Sequence, residues 1–271
     1  MIHSINHQTV FEYATTQKSV VQRLHLKPLG TTQQHLMDWD VEVNGGKIVL
    51  ETVDYHGNTV HLCNQYSDVE KIEITCCGRV NVIDTNGIVG AHDNHIPLSM
   101  FKNATALSLP GPRLRQLGKD MSKFMRAGHG GEINALHELS ARVSAAIKYS
   151  KGKTDTSTTA EMSMEIGMGV CQDHVHAFIA VARCLDFSAR YVSGYLLMCD
   201  AEMQDASHAW AEVFTDGLGW VGFDVSNGIS PDDRYVKLAT GFDYADAAPL
   251  SGVRFGSGEE QMSTQVIVSQ Q

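Results

Sequence analysis

Three residues in the second half of the sequence have side chains suited to nucleophilic catalysis: Cys171, His208 and Asp224. Cys171 follows the glycine-containing stretch 167–170 and precedes apolar residues at helical spacing over 175–185, so we expect it at the start of a helix. Unpaired backbone N–H groups and the positive end of the helix dipole favour an anion there, which promotes the nucleophilic thiolate form of a cysteine. The alternative is that Cys171 is a small buried hydrophobic residue.

A cysteine nucleophile needs a base, and the base needs a group that orients it. His208 and Asp224 lie in two predicted β-strands that are separated by a turn. If residues 216–218 form a three-residue loop, Thr215 opposes Gly219, and Asp224 lies one diagonal step from His208 on the same face of the sheet. A loop of two or four residues would place the imidazole and the carboxylate on opposite faces, unless a bulge restored the contact.

The composition is that of a globular protein with an excess of acidic side chains. Of the 271 residues, 43% are hydrophobic, and the formal net charge is −10 at pH 7. Because phosphate groups are bound by basic stripes, we expect neither a nucleic acid nor an anionic membrane surface as a partner. No stretch approaches the ~20 apolar residues of a membrane helix, and the first residues lack the pattern of a secretory signal.

The cysteines favour reduced thiols over a disulfide framework or a metal site. They stand at positions 63, 76, 77, 171, 184 and 199, and no Cys-x-x-Cys pair occurs. Because metal knuckles use such closely spaced pairs, we expect no bound metal, and no other cofactor is implied. Reduced thiols are typical of a cytoplasmic protein, which is the localisation that we predict.

The character of the sequence changes near residue 100. Residues 1–97 contain short predicted strands, with a hairpin signal at Asn44-Gly45-Gly46, and are typical of an antiparallel β-sandwich. Residues 98–112 are predicted to be a linker, and Pro112 suits the first position of a helix. Residues 113–271 combine amphipathic helices with strands and form the predicted catalytic domain. The predicted fold class is therefore α+β, with a β-sandwich followed by helices packed on an antiparallel sheet.

Four segments resemble those of bacterial transglutaminase-like proteins, which belong to the papain-like group of cysteine enzymes. The segments are Gly-Val-Cys-Gln-Asp at 169–173, Ala-Arg-Tyr-Val-Ser-Gly-Tyr at 189–195, Ser-His-Ala-Trp-Ala-Glu-Val at 207–213 and Gly-Trp-Val-Gly-Phe-Asp at 219–224. The resemblance places the family's nucleophile on Cys171, its base on His208 and its acidic partner on Asp224. It extends to the first half of the chain, where the pattern from Phe11 to Asn58 resembles the β domain that often precedes such catalytic domains.

One departure from the family falls beside the acidic residue. Family members often carry Asp-Pro-Thr-Asn there, whereas this sequence has Asp-Val-Ser-Asn at 224–227, which keeps the acid and loses the rigid proline. The histidine motif at 207–213 is intact, so we expect a functional triad.

The resemblance implies acyl transfer through a thioester, with a protein or peptide as the substrate. In that reaction Cys171 attacks an amide carbonyl, His208 protonates the leaving amine, and Asp224 orients the imidazole. We predict water as the acyl acceptor, by analogy with relatives described as peptidase-like. The alternatives are a protein-crosslinking transglutaminase with an amine acceptor, a deglycosylating amidase, and a non-catalytic interaction scaffold with a vestigial triad. The candidates for lining the cleft are Gly169, Gln172, Tyr195 and Trp210. Tyr195 could instead face the interior, and Trp210 could only fill the core.

The β domain has three candidate roles. It could bind substrate, cover the cleft, or drive the formation of a homo-oligomer, and the sequence does not choose among them.

Overall fold

The computed structural model describes residues 1–66, 68–128, 130–198 and 203–270 of the chain. Its α-helices are α1 (Pro112–Arg126), α2 (Gly131–Ala146), α3 (Ala160–Ile166), α4 (Cys171–Cys184) and α5 (Tyr244–Ala247), and a 3-10 helix spans Leu98–Lys102. Its strands are β1 (Ile2–Gln17), β2 (Ser19–Leu24), β3 (Gln34–Asn44), β4 (Gly46–Val53), β5 (Thr59–Gln65), β6 (Val69–Val82), β7 (Ile88–Gly90), β8 (Lys148–Tyr149), β9 (Met168–Gly169), β10 (Ala189–Leu196), β11 (Met203–Gln204), β12 (His208–Thr215), β13 (Gly219–Phe223), β14 (Tyr235–Gly241), β15 (Leu250–Phe255) and β16 (Glu260–Gln270).

Two antiparallel sheets form a sandwich around the first hydrophobic core. One has the strand order β11-β16-β1-β6-β3, and the other has the order β15-β2-β5-β4. Burial alternates along β1, where Ile5 and Phe11 point inward among the side chains of the opposite sheet. This alternation gives each sheet one buried face, as an antiparallel sandwich requires.

The sheets cross the boundaries that were predicted for the two domains. β16 pairs with β1 and β15 pairs with β2, so residues 250–270 complete the sandwich although they lie in the range 113–271. Conversely, β7 lies within residues 1–97 but pairs with β13 in a different sheet. Shared strands therefore join the two predicted units, and the linker 98–112 is not their only connection.

The turn at Asn44-Gly45-Gly46 does not form the predicted hairpin. β3, before the turn, pairs with β6, whereas β4, after it, pairs with β5 in the other sheet. Gly45 has φ of +86°, which glycine adopts without strain, and a Cβ there would lie 2.4 Å from the carbonyl oxygen of Lys71. The glycine signal therefore marks a crossing between two sheets, which needs the same backbone conformation as a hairpin turn.

The second core surrounds α4, which is buried along most of its length. α1, α2 and α3 pack around it, and its other side contacts β12. Pro112 occupies the first turn of α1, as predicted, because its missing N–H costs nothing there. The predicted fold class, α+β with a β-sandwich followed by helices packed on an antiparallel sheet, is confirmed.

Arg183 fixes the C-terminal end of α4 to the surrounding loops. Its guanidinium is buried and donates hydrogen bonds to the carbonyl oxygens of Phe101, Ala189 and Phe242 and to the hydroxyl of Ser108. These four hydrogen bonds offset the free-energy cost of burying the positive charge of the guanidinium. α4 is thus held at the end opposite to Cys171.

The sheet behind α4 has the strand order β14-β10-β12-β13-β7. Between β12 and β13, Thr215 pairs with Gly219 and Ala211 pairs with Phe223, which is the register predicted for a three-residue loop. Ala209 and Ala211 therefore face the core around α4, while Trp210 faces the other side of the sheet. Among the residues that the structure describes, no helix has the length and apolarity needed to cross a membrane.

Candidate active site

Cys171 is the first residue of α4, and the carboxylate of Asp173 holds the turn that precedes it. Oδ2 of Asp173 accepts a hydrogen bond from the backbone N–H of Val170 at 2.8 Å and from the Thr154 hydroxyl at 2.6 Å. Burial raises the pKa of Asp173, and these hydrogen bonds offset part of that effect. A carboxylate in the first turn also suits the positive end of the helix dipole.

Gly169 makes room for this carboxylate. A Cβ built on Gly169 would lie 2.6 Å from Oδ2 and 2.7 Å from Cβ of Asp173, closer than real Cβ atoms approach. The absence of a side chain at Gly169 therefore lets Asp173 hold the first turn of α4. Gly169 thus helps to position Cys171 and is not shown to line a cleft.

His208 and Asp224 are in direct contact. Nε2 of His208 lies 2.6 Å from Oδ2 of Asp224, and their side chains are 12% and 0% exposed. The side chain of Cys171 is close enough to His208 to raise the pKa of its imidazole. Because Nε2 is used by Asp224, the other ring nitrogen, Nδ1, is left for the thiol. The structure thus brings together all three residues on which the sequence analysis centred.

Four further donors surround the carboxylate of Asp224. The Tyr235 hydroxyl and the Asn227 side-chain amide each donate to Oδ2 at 2.7 Å, and the backbone N–H groups of Ser226 and Asn227 donate to Oδ1 at 3.0 and 3.2 Å. Burial alone would raise the pKa of Asp224, but the His208 contact and these donors outweigh it and lower the pKa below its usual value. Asp224 is therefore charged although it is fully buried.

The turn after Asp224 replaces the rigidity of the missing family proline. Asp224 accepts from two backbone N–H groups of the turn, and its own carbonyl accepts from the backbone N–H of Gly228 at 2.8 Å. Gly228 has φ of +68°, a conformation that glycine adopts readily. The departure noted in the sequence therefore leaves the acid well ordered.

The environment of His208 favours its protonated form. Burial lowers the pKa of its imidazole, but hydrogen bonds to Asp224 and Cys171 and the negative charge of both partners outweigh burial and raise the pKa above its ordinary value. The arrangement can therefore hold an imidazolium against the charged carboxylate of Asp224, with the side chain of Cys171 close by.

Of the remaining cleft candidates, Trp210 and Gln172 lie beside the triad and Tyr195 does not. The Trp210 ring lies 6.5 Å from the His208 ring and is nearly parallel to it. Nε2 of Gln172 is buried and has no hydrogen-bond partner among the described residues. Tyr195, by contrast, is buried in the sandwich core, where its hydroxyl contacts Nδ1 of His7 at 2.8 Å. Tyr195 is thus a core residue, because β10 is buried on both faces and one of them belongs to the sandwich.

Three tyrosines close to Cys171 were not among the candidates from sequence. They are Tyr149, Tyr191 and Tyr244, and for each the pKa is raised first by burial and then by the negative charge of Cys171. Tyr149 is 55% exposed, and its ring is stacked on His174, with only 8° between the ring planes. The three come from separate elements, so no spacing in the sequence could have grouped them.

The other thiols differ from Cys171 in their surroundings. Burial raises the pKa of Cys63 to about 11 and that of Cys76 to about 12, and it also raises the pKa of Cys184. Cys77 is exposed on β6, and Cys199 lies outside the described residues. Within the described ranges, no group of three or more His, Cys, Asp or Glu side chains is arranged to hold a metal ion.

Comparison with known proteins links these features to described families. Residues 119–225 match the transglutaminase-like superfamily, and residues 3–81 match the bacterial transglutaminase-like N-terminal region. An uncharacterized protein of Mycobacterium leprae is 24% identical over 275 residues, which covers 97% of this chain and 96% of that protein. An uncharacterized protein of Mycobacterium bovis is 34% identical over 140 residues, which are 48% of this chain and 45% of that protein.

A crystal structure has the same fold as this chain over almost its whole length. It is that of a protein from Cytophaga hutchinsonii described as a "putative cysteine protease", with a TM-score of 0.78 and 21% sequence identity. The match covers 99% of this chain and 90% of the other.

Proposed function

Because this chain carries a bacterial transglutaminase-like N-terminal region followed by a transglutaminase-like core, we propose that it is a cysteine-dependent acyl-transfer enzyme. Its proposed reaction is the hydrolysis of a peptide, isopeptide or side-chain amide bond through a thioester. The observation that carries the proposal is the contact of His208 with both the buried carboxylate of Asp224 and the side chain of Cys171.

In the first half of the proposed reaction, the Cys171 thiolate attacks the amide carbonyl carbon and a C–S bond forms. The tetrahedral intermediate then breaks its C–N bond as the His208 imidazolium gives its proton to the leaving amine. Asp224 stabilises the imidazolium before the transfer and fixes the ring so that Nδ1 faces the sulfur. The raised pKa of His208 supports this role, because the proton is present on the ring at neutral pH.

In the second half, neutral His208 takes a proton from water, and the resulting hydroxide attacks the thioester carbonyl. The C–S bond breaks, the carboxylic acid leaves, and the thiolate–imidazolium pair is restored. Cys171 is partly exposed, which supports access of water to the thioester. The description given to the Cytophaga hutchinsonii protein agrees with water as the acceptor.

The oxyanion formed in each half needs hydrogen-bond donors. The backbone N–H of Cys171 lies in the first turn of α4, where N–H groups have no partner within the helix, and we assign it as one donor. Gln172 is assigned to the same site, because the NH₂ group of its buried side chain has no partner among the described residues.

The proposal can be tested without knowing the natural substrate. Wild-type protein and a Cys171→Ala variant would be incubated with libraries of peptides, isopeptides and glutamine-containing proteins in ¹⁸O-water, with and without a fluorescent primary amine. Products that carry ¹⁸O and require Cys171 would support hydrolysis, and preferential incorporation of the amine would favour the crosslinking alternative. Identical product profiles from the two proteins would overturn the proposal.

A further inference from the structure

A large groove opens between the two sheets of the sandwich, next to the transglutaminase-like core. Its volume is about 580 Å³, within the range that ligand pockets occupy. Phe11 and Met262 line it from one sheet, and Leu250 and Val253 line it from the other. Its walls are therefore largely apolar, and the charges of Arg254 and Glu260 compensate each other across it at 3.5 Å.

One rim of this groove is a strand edge without a partner among the described residues. β15 is the edge strand of its sheet, and it pairs with β2 on one side only. The carbonyl oxygen of Pro249 accepts a hydrogen bond from the backbone N–H of His25, the residue after β2, so the backbone groups of Pro249 point toward β2. Along a strand, the backbone groups of successive residues point to opposite sides. The N–H and C=O groups of Leu250, Gly252 and Arg254 therefore point toward the open edge.

This edge is apolar as well as unpaired. The side chains of Val253 and Phe255 are 77% and 70% exposed. Long apolar edges of this kind are normally covered or interrupted by charges, because they otherwise pair with other chains. By strand alternation, these two side chains lie on the outer face of the sheet, whereas Leu250 faces the space between the sheets. β15 thus combines free main-chain hydrogen-bonding groups with apolar side chains on both faces, which are the features that a bound β-strand uses.

Two residues that line the groove connect it to the helix that begins at Cys171. Tyr244 lines it, and the backbone N–H of Tyr244 donates a hydrogen bond at 3.2 Å to Nε2 of His176 in α4. Thr156 also lines it, two residues after Thr154, whose hydroxyl donates to Asp173 in the first turn of α4. The groove therefore borders the segments that contact the first half of α4.

We propose that the groove binds an extended, apolar segment of a polypeptide substrate, which pairs as an added strand with the free edge of β15 and directs its amide bond to Cys171. This inference rests on the proposed function and deepens it, since it assigns the substrate class and the role of the sandwich. A polypeptide is the occupant that fits, because only a main chain supplies N–H and C=O groups at the spacing of the β15 edge, and apolar side chains match the groove walls.

The test uses thiol-reactive peptides and the full-length protein. A Val/Leu-rich hexapeptide with a chloroacetamide group at either end is compared with a Gly/Ser hexapeptide that carries the same group, and alkylation of Cys171 is followed by mass spectrometry. We expect the apolar peptide to react at least about tenfold faster, because it buries side chains in the groove. Two N-methylated versions of the apolar peptide are compared, one methylated at the odd and one at the even backbone nitrogens. One of them should lose most of the rate advantage, because only every second N–H of an added strand faces β15.

A pair of matched variants localises the effect. Val253→Glu places a charge on the rim of the groove, and Val53→Glu makes the same change at a valine that is 65% exposed on β4, the opposite edge of the same sheet. Val253→Glu should lower the rate with the apolar peptide by roughly tenfold, and Val53→Glu should change it less than twofold. Both variants should react with iodoacetamide at the wild-type rate, because that reagent is too small to use the groove.

The possible results separate this inference from the proposed function. If Cys171 reacts rapidly with iodoacetamide but shows no preference for the apolar peptide, the inference that the groove binds substrate is overturned, while the proposed reactivity of Cys171 is retained. If Cys171 is inert to both reagents, the anisotropy of a fluorescent, unreactive apolar peptide still reports binding, and equal binding to wild-type and Val253→Glu protein would overturn the inference. A second copy of the chain paired at β15 would appear as a concentration-dependent dimer that Val253→Glu dissociates, and that result would also overturn it.

Discussion

The phenolic hydroxyl of Tyr235 donates a hydrogen bond at 2.7 Å to Oδ2 of Asp224, the same oxygen that Nε2 of His208 contacts at 2.6 Å. One carboxylate oxygen is therefore shared by an aromatic hydroxyl and the imidazole. The hydroxyl is a neutral donor, so it stabilises the charge of Asp224 without competing for the positive charge of His208. Tyr235 thereby helps to keep the carboxylate ionised although the Asp224 side chain is fully buried.

Replacing Tyr235 by phenylalanine should weaken the triad without removing any of its members. With one donor fewer, the carboxylate of Asp224 is held less firmly in the orientation that contacts Nε2 of His208, and we expect Cys171 alkylation at pH 6 to slow by roughly five- to tenfold. The control is Tyr55→Phe, which removes an exposed hydroxyl that also donates to a carboxylate, that of Asp246 at 3.0 Å. Equal alkylation rates in the two variants would argue against a role for Tyr235 in the triad.

The dependence of Cys171 alkylation on pH tests the thiolate–imidazolium pair directly. Because the pKa of His208 is raised, the imidazolium persists through neutrality and should support fast labelling of Cys171 near pH 6. A His208→Ala variant should label at least about a hundredfold more slowly at that pH. The measurement is iodoacetamide labelling with peptide-level mass spectrometry.

The exposed thiol of Cys77 is an internal reference in the same experiment. It should label equally in wild-type and His208→Ala protein, since it lies on β6, outside the triad. If Cys171 labelled no faster than Cys77 at pH 6, the triad would be inactive or occluded, and the interpretation as a scaffold would be preferred.

Substituting Gly169 by alanine should disturb the nucleophile through Asp173. The added Cβ would displace the carboxylate from the Val170 N–H and the Thr154 hydroxyl, so the first turn of α4 would shift. We expect Cys171 alkylation to fall by more than about tenfold and the free energy of unfolding to drop by roughly 1–3 kcal/mol. Gly30→Ala is the matched control, because its Cβ would have no atom within 4 Å.

Acid should destabilise the fold through buried neutral histidines. Burial lowers the pKa of His7 to about 4 and that of His176 to about 3, whereas an unfolded histidine titrates near 6.5. Below pH 6.5 the unfolded chain therefore binds protons that the folded chain does not, and stability falls as pH falls. We expect a loss of roughly 1.5 kcal/mol per histidine between pH 6.5 and pH 5, measurable as a shift in urea midpoint.

The variants His7→Gln and His35→Gln check that assignment. His7→Gln removes one of the buried groups and should flatten the pH dependence, whereas His35 is exposed on β3 and its replacement should not. A stability that is constant from pH 7.5 to pH 5 in the wild-type protein would contradict the prediction.

The local features of the site could be predicted from sequence because they depend on short-range patterns. The glycine-rich bend and the apolar period indicated that Cys171 begins a helix, and the turn at 216–218 fixed the register between β12 and β13. A loop length determines which side chains share a face, so the contact of His208 with Asp224 followed from a count of residues. The role of Asn227 was not predicted, although its position three residues after Asp224 is typical of a side chain that closes such a turn.

The features that failed depend on partners distant in sequence. An alternating pattern predicts a strand but not its neighbour, so nothing at 250–270 indicated that β15 and β16 would join the sandwich. Tyr195 could not be assigned to the cleft or to the interior for a related reason, since β10 is buried on both faces and carries no alternation that would assign a side chain to one of them. The hairpin expected at Asn44-Gly45-Gly46 shows that turn chemistry does not determine which strands pair.

The pairing of β1 with β16 determines the order in which this protein can be assembled on the ribosome. Thr9 and Thr264 share a hydrogen bond although they are 255 residues apart in sequence. β1 therefore leaves the ribosome long before its partner exists, and contacts so remote in sequence form slowly. β15 is also made late, since it begins 79 residues after Cys171, so a nascent chain carries its thiol through that stretch of synthesis before the proposed peptide groove is complete.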